Sequence, residues 1–73
     1  MMQLTLANPG DTGKVKKVSG PDQVRQHLAG LGFVEGADVT VISKISGNVI
    51  VQVKDSRIAL DKKMATRIIF TLD

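Results

Sequence analysis

The sequence predicts a small, mainly β protein, a sharply bent barrel of five or six short strands with one inserted α-helix. Three observations predict it. Period-two apolar alternation recurs in short runs separated by Gly, Pro, Asn and Asp, the pattern of half-buried strands joined by turns. Sustained helical spacing occurs in one place, where Val24, Leu28 and Leu31 stand at i, i+4 and i+7. With 73 residues the chain is too short for two full stacked sheets, whereas a bent barrel protects strand edges and buries one side of each strand.

Taken in order, Asn8-Pro9-Gly10-Asp11 is a turn cluster. Lys14-Val15-Lys16-Lys17-Val18 follows as a strand with Val15 inward, and the spacing from Val15 to Val18 calls for a bulge or a strand end. Gly20-Pro21-Asp22 stops that strand and starts a helix over about residues 22–31; Pro suits a first turn, where the missing N–H breaks no bond. Arg25, Gln26 and Ala29 lie off the apolar stripe. Gly32 is placed to end the helix in the left-handed conformation, with Phe33 as its hydrophobic partner. Val34-Glu35-Gly36-Ala37 is a tight turn with Gly36 at the positive-φ position of type II. Gly32 and Gly36 are therefore read as structural turn residues.

Two alternating runs, Val39–Ile45 and Val49–Val53, flank Ser46-Gly47-Asn48 and predict a hairpin. A three-residue loop sets Val41, Ser43 and Ile45 inward against Val53, Val51 and Val49; a two-residue loop slips the register and turns Ile42 inward. The first gathers more apolar residues and is the expected register. Asp55-Ser56 is a second tight turn before a strand over Arg57–Leu60. Asp61 caps a short helical turn at about residues 62–66. Arg67–Leu72 closes as a strand with Ile68, Phe70 and Leu72 on one face. The longer helix is expected to plug one open end. Residues 1–73 read as a single domain without repeat, linker or low-complexity segment.

Composition narrows function. A hydrophobic fraction of 42% with 23% charged residues is globular rather than disordered. There is no Cys, so disulfides, thiolate metal sites and Cys nucleophiles are excluded. No apolar run exceeds three residues, far short of a membrane span, and the N-terminus lacks a secretory pattern. The expectation is a cytoplasmic chain not itself embedded in a membrane. So small a chain can hardly surround a large catalytic pocket. The net charge of +3 comes from scattered cations with acids interleaved, and the only aromatic residues are two Phe. Nucleic-acid binding is therefore not expected, because it needs concentrated charge and, for single strands, stacking platforms.

The residues that could carry chemistry fall short one by one. His27 is the only His. A metal site needs three or four ligands, so His27 with Asp22 and Glu35 nearby in sequence is no ligand set, and no metal or cofactor site is expected. Gly10-Asp11-Thr12-Gly13-Lys14 has two residues between its glycines where a phosphate loop needs four, and a strand rather than a helix follows. It reads as a β-turn. Ser19, Ser43, Ser46 and Ser56 have no identifiable base. The chain is expected not to be an enzyme.

The run Leu28-Ala29-Gly30-Leu31-Gly32-Phe33-Val34-Glu35-Gly36, continued by Ala37-Asp38-Val39-Thr40-Val41, resembles the central signature of the FeoA family, Leu-x-x-Leu-Gly-apolar-x-x-Gly before an alternating strand. Gly10 to Val15 resembles the family's Gly-x-x-Gly-x-apolar opening, and Ile58-Ala59-Leu60 with Ala65 and Ile68 resembles its closing segment. Glu35 stands where many members have Pro. The resemblance covers about Leu4 to Phe70. It implies an SH3-like barrel and an accessory role in bacterial ferrous iron uptake, with the FeoB membrane transporter and its cytosolic GTP-binding domain as partner. A similar fold occurs in iron-dependent repressors, which leaves a stand-alone relative of that domain, binding a peptide or regulator, as the alternative, beside a small basic nucleic-acid-binding barrel. Proline-rich peptide binding is not expected, since that groove is aromatic-lined and the chain has no Trp or Tyr.

Without a catalytic or metal site, function is expected at a surface. In the expected register Ile42 and Ile50 are diagonal neighbours on the outer face of the hairpin, rimmed by Lys44 and Lys54. Val34 is expected outside the core at the helix-to-strand elbow. Lys62, Lys63 and Arg67 form a basic ridge suited to an acidic partner or an anionic leaflet.

Overall fold

Short alternating runs leave each strand one apolar face, and here those faces close on one another. The computed structural model describes all 73 residues, Met1–Asp73. Its strands are β1 (Met2–Gln3), β2 (Thr12–Val18), β3 (Asp38–Ile45), β4 (Asn48–Val53), β5 (Ser56–Leu60) and β6 (Ile68–Leu72). The helices are α1 (Asp22–Gly30) and α2 (Lys62–Arg67), with a 3₁₀ turn at Leu4–Leu6. All strand pairings are antiparallel, in the order β1-β6-β2-β3-β4-β5. This is the mainly β architecture with one inserted helix that the sequence predicts.

The core is one cluster of 14 buried residues, every one hydrophobic. Leu28 of α1 and Phe33 beyond it are 0% and 1% exposed, and Val24 and Leu31 pack against the same cluster. The apolar stripe is thus the buried face of α1. Its C-terminus is closed by a Schellman pair: Gly32 N–H donates to Ala29 O and Phe33 N–H to Leu28 O, each at 3.0 Å, with Gly32 at φ +108°. The next turn is also as expected, with Ala37 N–H donating to Val34 O at 2.9 Å and Gly36 at φ +87°. The elbow then locks onto β2. Val15 N–H donates to Ala37 O and Gly36 N–H to Val15 O, both at 2.8 Å. Just beyond, the β2–β6 register shifts between Val15 and Lys17, which is the expected bulge. α2 packs against the 3₁₀ turn, β1, β4, β5 and β6.

The hairpin differs from the expected register. Ile45 pairs with Asn48, so the loop has two residues, Ser46 and Gly47, both at positive φ (50° and 85°). That is type I′ geometry, whose twist matches the flanking strands. Alone it would turn Ile42 inward. Instead a bulge falls between Val41 and Ser43, leaving Ile42 unpaired and restoring Val41↔Val51 and Val39↔Val53. Val39, Val41, Val49, Val51 and Val53 are all buried, while Ile45, expected inside, is 60% exposed. The second hairpin turn is Lys54–Asp55 rather than Asp55–Ser56, since Val53 pairs with Ser56. Lys54 takes φ 55° there. The first two elements, β1 and the 3₁₀ turn, were not expected from the sequence, yet Leu4 and Ala7 are fully buried.

Candidate functional site

No polar or charged side chain is buried, so chemistry inside the barrel has no donor set. His27 is exposed near the end of α1, and no three His, Asp or Glu side chains converge in a metal-holding group. Gly10 completes a turn in which Asp11 N–H donates to Asn8 O at 3.0 Å. Gly13 lies within β2, opposite Val39 of β3 and Leu72 of β6. A Cβ on Gly13 would meet Thr71 O at 2.2 Å. Glycine there answers a close backbone approach between strands, not a phosphate. Both aromatic side chains, Phe33 and Phe70, are buried, so neither lines a groove nor offers a stacking platform.

The expected contact residues therefore sit on an otherwise simple surface. Val34 is 43% exposed at the elbow, beside buried Phe33. Ile42 and Ile50 are half-buried and stand outside the core cluster. The observed register puts Ile50 opposite Ser43, next to the bulge residue Ile42, so the two remain neighbours although the pairing differs from the expected one. Their lysine rim does not form as expected. Lys44 pairs with Val49, on the side of that buried residue, and its Nζ donates to Thr5 O at 2.9 Å. On the other side, Ile50 faces Ala59 and Gln52 faces Arg57 across β4–β5.

Lys62, Lys63 and Arg67 are brought together as expected, lining one shallow depression on α2 with Thr66. Asp61 forms no ion pair with them; its carboxylate accepts from Met64 N–H at 2.8 Å as the N-cap. The Arg67 side chain runs beside Gly20, where an added Cβ would lie 3.2 Å from Nη1. Only two ion pairs form on the molecule, Lys14–Asp38 at 2.5 Å and Arg25–Asp22. Lys54, Arg57, Lys62, Lys63 and Arg67 have no carboxylate partner. Lys14 has its pKa raised above the ordinary lysine value, first by the hydrogen bond to Asp38 and then by that carboxylate's charge.

One feature the sequence did not point to is the outer edge of β5. This strand pairs with β4 alone and ends the sheet. The position of a strand in the sheet order depends on contacts remote in sequence, so no local signal marks it.

No helix is long and apolar enough to cross a membrane. No curated protein matches the chain. Among solved structures, a FeoA described as an iron uptake regulatory protein matches at 31% identity over 97% of this chain and 95% of its own, with a TM-score of 0.90. The zinc-complexed FeoA of Stenotrophomonas maltophilia, described as a prokaryotic SH3-domain protein, matches at 27% identity over 97% and 91%, TM-score 0.84. IdeR of T. acidophilum matches at 25% identity over 99% of this chain but only 34% of its own, TM-score 0.88. The FeoA domain family matches residues 2–71. The chain has an SH3-like fold and belongs to the FeoA family, which is associated with ferrous iron transport.

Proposed function

We propose that this chain is a non-enzymatic, cytoplasmic accessory protein of ferrous iron uptake that acts by contact with the FeoB transporter. The observation that carries the reading is that no polar or charged side chain is buried. Every side chain able to recognise or react lies on the outside, and an SH3-like barrel with an apolar core offers its surface as its means of action. Family membership supplies the iron-uptake context; iron is the transporter's cargo in this reading. The docking surface is centred on Ile42 and Ile50, where a half-buried apolar pair stands outside the core cluster. Val34 and the Lys62, Lys63 and Arg67 ridge are the other candidate contacts.

The test is capture of FeoB from solubilised membranes by the tagged chain, read beside complementation of a strain deficient in ferrous iron uptake. Ile42→Glu with Ile50→Glu should keep a cooperative melting transition yet lose both capture and complementation. A folded double variant that still captures FeoB would move the contact to Val34 or to the α2 ridge. A wild-type chain that captures no FeoB would overturn the partner itself. The likeness to IdeR supports a second reading, a stand-alone peptide- or regulator-binding relative of the repressor domain. It is favoured if capture yields a soluble regulator instead.

A further inference from the structure

The geometry points to the outer edge of β5 as a strand-addition site for an extended acidic segment of the partner protein. The two-residue turn Lys54–Asp55 makes Val53 and Ser56 a hydrogen-bonded pair. Alternation along an antiparallel ladder then directs the N–H and C=O groups of Ser56, Ile58 and Leu60 to β4, and those of Arg57 and Ala59 away from it. No backbone bond outside the sheet ladders engages Arg57 or Ala59, and both residues are exposed. Their four backbone groups form an open ladder of the kind that extended peptides complete.

Charge decides which segment fits. Arg57 is the second residue of the edge strand and has no carboxylate partner, Lys54 stands in the turn before it, and Lys62 and Lys63 follow its end. The two carboxylates nearby are Asp55 in the turn and Asp61, which is held as the N-cap. A second copy would bring the same cations against this edge, so self-pairing is opposed; a charged residue on an edge strand commonly serves that end. An acidic strand instead meets Arg57 directly. The row of residues across the sheet adds a second preference. Ser43, Ile50 and Ala59 are successive cross-strand partners, as are Thr40, Gln52 and Arg57. An added strand would extend both rows, with an apolar side chain beside Ala59 and an acidic one, two residues away, beside Arg57. The inference rests on the contact-protein reading and names the chemistry of the partner at that same face.

The probe is a synthetic peptide of repeating Glu-Thr-Val-Thr, with two relatives: one with Gln for Glu, and one N-methylated on the backbone at alternate residues. Binding to the full chain is read by fluorescence anisotropy and by amide hydrogen exchange. The acidic peptide should bind, weaken with added salt, and slow exchange of the Arg57 and Ala59 amides. The Gln peptide, and the acidic peptide on an Arg57→Glu chain of unchanged melting temperature, should each bind about tenfold or more weakly. The N-methylated peptide keeps its charge and should not bind. Equal binding of the N-methylated peptide, unaltered exchange at Arg57 and Ala59, or no binding of the acidic peptide would each overturn strand addition. These results are independent of FeoB capture, so loss of the transporter partner and loss of the edge site are told apart.

Discussion

The elbow between α1 and β3 and the tip of the β3–β4 hairpin are both glycine-containing turns, but they are held in different ways. At the elbow, Gly32 and Gly36 take positive φ, and the bonds they make or neighbour run to Ala29, Leu28, Val34 and Val15. Burial agrees with those bonds, because Leu28 and Phe33 enter the core through the same motif. At the hairpin tip the two demands conflict. Strand twist favours the two-residue turn Ser46–Gly47, but that turn in a regular ladder would expose Val39 and Val41. The unpaired Ile42 resolves the conflict by shifting the register once, and Ile45 is left 60% exposed. Where bonding and burial coincide, local sequence has one solution. Where they oppose each other, an irregularity elsewhere in the strand decides.

The largest expected effect tests the elbow. Leu28→Ala removes a fully buried side chain from the core and should destabilise by about 2–5 kcal/mol. In a domain whose total stability is of order 5–15 kcal/mol, that unfolds a sizeable fraction of molecules. Chemical denaturation measures it, and a loss below about 1 kcal/mol would mean that the elbow does not anchor α1.

Gly13→Ala comes next. Its Cβ would lie 2.2 Å from Thr71 O and 2.9 Å from the Phe70 ring, so β2 and β6 must separate. Overpacking of this kind costs about 3 kcal/mol. The shifts in amide resonances should concentrate in β6. Gly30 provides the contrast. It lies in α1, its φ is not positive, and an added Cβ meets nothing within 4 Å. Gly30→Ala should therefore stabilise by about 0.5–1 kcal/mol, and a loss of stability would show that α1 needs freedom at its last turn.

At the hairpin tip the sign also reverses. Ser46 holds φ 50°, a conformation that L-residues other than Asn and Gly adopt at a cost of roughly 1 kcal/mol. Ser46→Asn creates the preferred Asn-Gly pair of a type I′ turn and should raise stability by up to about 1 kcal/mol. An unchanged or lower denaturation midpoint would mean that the tip is not held in this turn.

The same contrast explains what the chain reveals of itself. The extents of α1 and α2, the Asp61 cap, the bulge after Val15 and both elbow glycines follow from residues close together in sequence. β1 and the 3₁₀ turn do not, because Met2–Gln3 and Leu4–Leu6 are too short to show a period and pack against α2 and β6, remote in sequence. Of the expected contact surface, the grouping of Lys62, Lys63 and Arg67 and the nearness of Ile42 to Ile50 were legible. The turning of Lys44 toward Thr5 was not, since its partner is a backbone carbonyl 39 residues away.

The smallest effect concerns charge at the foot of β3, where Lys14 and Asp38 are cross-strand partners joined at 2.5 Å. Both side chains are largely exposed, so the pair should matter little to stability near neutral pH. Its signature is the titration of Lys14, raised above the ordinary 10.5 first by the hydrogen bond to Asp38. A lysine whose folded pKa exceeds its unfolded value adds stability that is present below the unfolded pKa and lost as pH rises through the folded one. Asp38→Asn removes the carboxylate's charge and should return Lys14 toward the ordinary value. The difference in melting temperature between the two proteins should then shrink as pH climbs through the lysine range. Side-chain NMR of Lys14 measures the shift directly. Identical titration curves in the two proteins would show that the contact does not persist in solution, and that β2 and β3 are held at this end by their ladder alone.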